Sequence, residues 1–391
     1  MALAELYLDA SATTPPLAAV LDAMQTVHRQ AWANPSSLHG FGLAAAEALE
    51  RARHKICTAL GALSDELIVT SGATESVHLA LLGSTALTQP GRVVISAVEH
   101  PAVVAAAKRL RILGWQVQIW PVGPDGRLKM ELLEAMLAPP TQLVSLNWGQ
   151  SEIGTLQPIL QIGEACRRRG ILCHTDATQL LSQARLDWGA LPLDLLSGSA
   201  HKFQGPRGAG LLLTRSGVLQ QPLFGGGGQQ QGWRSGTEAI ALTAGMAEAL
   251  AALPEHHPIT GSEAPAGVTS DLRRCRDRLL QQLLERDGVQ SIGAGVEQRL
   301  PHHISVVVSH PSGQPVSGRE LVRQFAVQGV AVSSGSACSS GRSQDSAVLT
   351  AIDLPAPLRR SGLRLSLGPW LSEGDLKSIP RRFDAARAAC T

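Results

Sequence analysis

The chain carries almost no net charge: 34 Lys and Arg stand against 32 Asp and Glu, for +2 over 391 residues. It therefore lacks the broad basic field that a nucleic-acid backbone or an acidic membrane surface demands, and neither is expected as a partner. It also lacks any uninterrupted apolar stretch near the roughly 20 residues of a membrane span. The opening MALAELYLDA is too short and too acidic for a secretion signal, so a cytoplasmic protein is expected. The six cysteines (Cys57, Cys166, Cys173, Cys275, Cys338 and Cys390) include no CxxC pair. That pattern argues for reduced thiols and against a disulfide framework or a zinc site, so no metal is expected. Internal repeats and low-complexity tracts are missing too, which excludes a repeat architecture.

What is present is enough apolar sequence (44%) for a large core, in a length that suggests about two domains. Between about 16 and 250, short β-branched or leucine-rich runs alternate with helical stretches: LIVT at 67, VVIS at 93, VQIW at 117, LVSLNW at 143 and ILCHTD at 171. That rhythm predicts a mostly parallel, doubly wound α/β sheet with crossover helices. Pro158 suits the first turn of one such helix and Gly170 its end. The stretch 253–268, LPEHHPITGSEAPAGV, reads as a linker or loop. Beyond it, Leu272, Cys275, Leu279 and Leu283 recur at helical spacing, followed by the strand ISVVVS at 304 and a helix around Leu321 to Phe325. The expected division is a large domain over 16–254 and a smaller α+β domain built from 1–15 plus 255–391.

Lys202 ends the apolar run DLLSGSAHK, and Asp176 ends ILCHTD. Both close strand-like runs, where α/β folds place ligands. An amine in a partly desolvated pocket can attack an aldehyde, and a carboxylate beside a pyridine nitrogen keeps it protonated; together they are the minimum equipment for pyridoxal 5'-phosphate (PLP) chemistry. GATES (Gly72 to Ser76) follows LIVT and opens a helix, so its N–H groups and the Thr74 hydroxyl form either a phosphate-sized anion site or an ordinary helix cap. Ser199 and His201 can add donors to the same phosphate, and Gln179 can reach a ring hydroxyl. His100, after VVIS, either stacks on a cofactor ring and carries protons or bonds to backbone at a strand end.

In SSGSACSSG (Ser333 to Gly341), Cys338 is flanked only by small residues, unlike a core cysteine, and looks presented to another surface. Arg364, in GLRLSLG, either forks onto a substrate carboxylate or makes a surface ion pair. The run FGGGGQQQGWRSGT (Phe224 to Thr237) is glycine-rich but lacks the dinucleotide-binding spacing, so no nicotinamide cofactor is read from it.

LDASATTP (Leu8 to Pro15), NPSSLH (Asn34 to His39), SGATES, EH at 99, EIGTLQP (Glu152 to Pro158), HTDATQ, SAHKFQGPRGAG, RSGT and SSGSAC follow one another in this order. In that order the chain resembles, over nearly its whole length, the PLP-dependent cysteine desulfurases, the NifS/IscS-like branch of the class V aminotransferases. The resemblance implies the fold-type I PLP-dependent transferase fold, with Lys202 as the Schiff-base lysine, Asp176 at the pyridinium and His100 over the ring. It implies that Ala73, Thr74, Ser199 and His201 hold the phosphate, that Gln179 meets the ring hydroxyl, and that Thr237 reaches the phosphate site of a second subunit in a homodimer. Asn34 and Arg364 are implied at the substrate, and Cys338 as the nucleophile. The implied reaction turns L-cysteine into L-alanine and leaves a persulfide on Cys338 for a sulfur-acceptor protein, as in iron–sulfur cluster assembly. Three departures stand out: Gln150 and Ser151 replace the usual Asn-Asn before EIG, His78 replaces an asparagine, and Gln231 replaces an arginine. They keep a cystine or selenocysteine C–S lyase, or a related β-eliminating enzyme, as an alternative. A weakly active sulfur carrier is a further one. The close of the chain, with Pro380 interrupting its last helical pattern, leads us to expect no long scaffold-docking tail.

Overall fold

A computed structural model describes residues 5–254, 270–335 and 345–390. Cys338 and most of the linker-like stretch 253–268 lie outside the described residues. The strands are β1 (Leu6–Tyr7), β2 (Leu67–Thr70), β3 (Arg92–Ser96), β4 (Gln116–Trp120), β5 (Thr141–Asn147), β6 (Leu172–Asp176), β7 (Leu195–Ser199), β8 (Gly210–Thr214), β9 (Val289–Ser291), β10 (His303–Val308), β11 (Val330–Ala331) and β12 (Gly362–Ser366).

Seven of them form one sheet in the order β2-β8-β7-β6-β5-β3-β4. From β4 to β7 all pairs are parallel, whereas β8 runs antiparallel to both β7 and β2. The expected, mostly parallel sheet thus contains one reversed strand, β8, between β7 and the edge strand β2. Alternation along each strand feeds two apolar layers: Val93, Ile95, Leu143 and Leu212 face one, and Val94, Val144, Leu146 and Leu211 the other. The helix Pro101–Ile112 closes the first layer with Val103, Ala106 and Leu110, and the helices Gly40–Leu60 and Ile159–Arg167 close the second with Ile56, Leu60, Ile162 and Cys166. Such i, i+3, i+4 spacing gives each helix one buried stripe. Pro158 sits just before the helix Ile159–Arg167 and not in its first turn, and Gly170, at φ 65°, turns the chain beyond its end.

The second core lies around an antiparallel sheet, β12-β10-β9, with β1 pairing in parallel with β11 beside it. Leu6 and Leu8 from the start of the chain pack there with Ile304, Val306, Leu321, Phe325, Leu365 and Phe383. The helices Ser270–Leu284 and Gly318–Val327 cover this core as the spacing predicted. The terminal helical pattern divides at Ser378, because Pro380 falls in the first turn of a new helix, Ile379–Ala388, where its missing N–H costs nothing. Among the described residues no helix is long and apolar enough to cross a membrane.

Candidate active site

The parallel strands end on a common edge, and a cavity of about 690 Å³ opens there. It is lined by Ala73, Thr74, His100, Asp176, Gln179, Ser199, His201, Lys202 and Arg364, so nine of the twelve residues singled out from the sequence converge on one space.

Lys202 ends a short 3-10 turn, Ala200–Lys202, directly after β7. Its Nζ donates to the backbone carbonyls of Ser11, at 2.5 Å, and Ala12, at 2.8 Å. Asp176 is the last residue of β6; it is buried, and its Oδ1 accepts from the Thr178 N–H at 3.0 Å. Gln179 Nε2 donates to the Ser11 carbonyl at 3.0 Å, whereas Gln179 Oε1 and Thr178 Oγ1 are buried with no hydrogen-bond partner among the described residues. Burial of unpartnered polar atoms is costly, and these two belong to residues of the cavity wall.

Ala73 and Thr74 open the helix Ala73–His78. The preceding Gly72 lies so close to β8 that a Cβ on Gly210 would sit 2.5 Å from the Gly72 Cα, so the approach requires glycine. Arg234, in the glycine-rich run, locks this helix through Glu75: Arg234 Nε meets Oε1 at 2.9 Å, and Oε2 accepts from the Ser71 N–H at 2.8 Å. His201 Nδ1 lies 3.1 Å from Thr13 Oγ1. Burial, then the charges of Lys202 and Arg207, push its pKa down to about 4, so the ring is neutral at physiological pH. His100 caps the helix Pro101–Ile112, its Nδ1 accepting from the Ala102 N–H at 3.1 Å, while its ring still faces the cavity. Both roles weighed for it are therefore compatible.

Arg364 is 3% exposed, which removes the surface ion pair as its role. Nη2 pairs with Asp9 Oδ1 at 2.8 Å, and Nη1 donates to the Ser151 carbonyl at 2.9 Å. Gln150 spends its amide on backbone groups: Oε1 accepts from the Ile153 N–H at 2.9 Å and Nε2 donates to the Val98 carbonyl at 3.3 Å. His78 does likewise, its Nδ1 lying 2.8 Å from the Thr74 carbonyl oxygen, and Gln231 is exposed. Asn34 and Thr237 do not line this cavity; both are exposed, and Asn34 Oδ1 accepts from the Ser36 N–H at 2.9 Å. Cys338 lies outside the described residues, as does most of its loop.

Several residues at the site escaped sequence reasoning. Ser11 and Ala12 supply the carbonyls under Lys202, within a motif read only as a family marker. Glu99, next to His100, is buried and holds the end of β5, accepting from the Asn147 N–H at 3.0 Å and from Ser96 Oγ at 2.5 Å. Burial raises its pKa to about 7. Behind Ser11, His302 is fully buried with Nε2 3.3 Å from Ser11 Oγ, and His303 Nε2 lies 3.1 Å from the Ser151 carbonyl oxygen. The dipeptide of adjacent histidines ahead of the strand at 304 was the available signal. No cluster of three metal-binding side chains occurs among the described residues.

Known proteins supply an independent comparison. Residues 6–379 match the family model for class-V aminotransferases. The chain is 36% identical to the cysteine desulfurase IscS of Dictyoglomus turgidum over 95% of its own length and 92% of that protein. In three dimensions it is similar to a NifS-like protein, with a TM-score of 0.86 at 28% identity, covering 98% of this chain and 99% of that one. It is also similar to SspA solved in complex with cysteine, with a TM-score of 0.78 at 29% identity, covering 94% and 100% of the two chains. The fold expected from the ordered motifs is the one these relatives have, and the chain belongs to the class-V aminotransferase family, in its cysteine desulfurase branch.

Proposed function

We propose that the protein binds PLP in this cavity and acts as a cysteine desulfurase, forming L-alanine and a persulfide on Cys338 in the cytoplasm. The observation that carries the reading is the convergence of Lys202, Asp176 and Arg364 on one cavity whose wall keeps unpartnered polar atoms. The donor set fits the cofactor. Thr74, Ser199 and neutral His201, with the N–H groups at the start of the helix Ala73–His78, suit the phosphate. Asp176 suits the ring nitrogen, and the orphaned Gln179 and Thr178 atoms suit polar groups on the ring. When bound, PLP supplies an electron sink that weakens the bonds at the substrate's α-carbon.

The protein's own groups account for the rest. Arg364 orients the substrate carboxylate, sharing its guanidinium with Asp9. Lys202 holds the cofactor and carries a proton to and from the α-carbon. The Cys338 thiolate forms an S–S bond to the substrate sulfur as the substrate's Cβ–S bond breaks, and Cβ gains a proton. Cysteine and the thiol thus become alanine and the persulfide, which an acceptor protein then discharges. A homodimer belongs to this reading. Trp32, Leu38 and Phe41 are 67%, 91% and 65% exposed, and they lie in or beside the segment that holds Asn34. Such an apolar patch suits a second copy that brings Asn34 or Thr237 to its neighbour's cavity.

Incubating the PLP-loaded protein with L-cysteine and a reductant, then assaying alanine and pyruvate, tests the activity. Alanine supports desulfuration. Pyruvate supports β-elimination, a second reading favoured by Gln150, whose amide is consumed by backbone groups, and by the short Ser151 beside it. The Cys338→Ser variant is expected to retain cofactor and cysteine binding but to form no persulfide; wild-type alanine output from it would move the reading to the lyase.

A further inference from the structure

Among the described residues, three Lys and Arg side chains line the cavity, and two of them are engaged. Lys202 rests on the Ser11 and Ala12 carbonyls, and Arg364 on Asp9 and the Ser151 carbonyl. The third, Arg207, is exposed and makes no hydrogen bond or ion pair with the other described residues. The backbone that carries it is nevertheless held in place. The Gly205 N–H donates to the Ala200 carbonyl at 2.9 Å, a Cβ on Gly205 would lie 2.8 Å from that same oxygen, and Gly208, at φ 85°, leads the chain into β8. The guanidinium therefore projects from a rigid turn five residues beyond Lys202 (207 minus 202).

Its charge is felt by His201 and by the Tyr7 phenol, and Tyr7 also lies in the field of Arg364. Two guanidiniums thus flank the segment Tyr7 to Thr13: Arg364 inside, compensated by Asp9, and Arg207 outside, uncompensated. A bare cation at the mouth of a concave site focuses the field on the path an incoming anion takes.

Building on the desulfurase reading, we propose that Arg207 is the outer carboxylate-binding residue of this site, which engages the carboxylate of an α-amino acid at the mouth and orients it toward Arg364. The cofactor phosphate is the competing anion, and the test separates the two.

Arg207→Gln and Arg207→Lys are compared with the unaltered PLP-loaded protein. The glutamine variant is expected to raise KM for L-cysteine about two- to fivefold, the size of a solvent-exposed charge pair, with kcat within about twofold. The lysine variant restores KM, and KM rises with added KCl in the unaltered protein but not in the glutamine variant. PLP affinity, measured by reconstitution, stays the same. An unchanged KM, or a loss confined to PLP affinity, overturns the proposal. If the unaltered protein makes no alanine, the desulfurase reading fails; Arg207 is then judged by calorimetric binding of L-alanine, which needs no turnover, and equal affinity with and without Arg207 overturns the assignment.

Discussion

The two walls of the cavity are built on opposite plans. The wall from the seven-stranded sheet consists of strand ends, with Asn147, Asp176 and Ser199 each delivered by the last residue of a strand. The wall from the smaller unit consists of buried cationic and imidazole groups: Arg364 pairs with Asp9, while His302 and His303 brace Ser11 and Ser151 from behind. A strand end places its residue by backbone geometry, which every neighbouring strand reinforces. The second wall places its residues through a few side-chain bonds, and it keeps them only while the two histidines stay uncharged.

The largest effect tests the first wall. Lys202→Ala is expected to abolish the yellow colour of bound PLP, borohydride trapping at that position and all turnover, with the melting temperature of the cofactor-free protein little changed. A variant that still traps PLP would remove Lys202 from its proposed role.

Acid should break the second wall first. Burial, with Arg276, Arg364 and Lys202 adding to it, pushes the His302 pKa down to about 3 from an ordinary 6.5. Between those values the unfolded chain binds more protons, so the contribution is complete above about 6.5 and is lost as pH falls toward 3. The slope is about 1.4 kcal/mol per pH unit for one histidine. His174, in the sheet, is held near 4 by burial, so it contributes over a narrower range. Urea titrations at pH 7 and pH 5 should show His302→Asn less stable than the unaltered protein at pH 7 but with a shallower pH dependence. An equal slope in both proteins would mean that His302 titrates normally.

Arg364→Lys is expected to raise KM for L-cysteine about tenfold or more, since an ammonium cannot serve Asp9, the Ser151 carbonyl and a substrate carboxylate with one planar fork. The smallest effect belongs to Ser151→Asn. One regained polar contact is worth about 0.5 to 1.5 kcal/mol, so desulfurase turnover or PLP affinity should rise by at most about tenfold. No gain would mean that the pocket is arranged around Ser151, and a different substrate would become the better explanation.

The same contrast governs what could be read from the sequence. Lys202, Asp176 and Thr74 were legible because each closes an apolar run or opens a helix, and those are local patterns. His302 and Glu99 were not, because their roles depend on contacts with Ser11 and Asn147, far away in the chain. The reversed direction of β8, one strand in from the edge, was likewise hidden: strand direction leaves no mark on hydrophobic periodicity. Arg364 was identified, but its burial and its pairing with Asp9, 355 residues away, required the fold.

That separation has a bearing on how the molecule is made. Leu6 pairs with Val330, and Asp9 bridges to Ser366, so the segment whose carbonyls receive Lys202 lacks its β-partners until nearly the whole chain has left the ribosome. The large sheet, complete by Thr214, has all its strands much earlier. Biosynthesis therefore imposes an order, sheet first and pocket last, and a nascent chain arrested near residue 300 should hold a folded sheet but not yet a finished cavity.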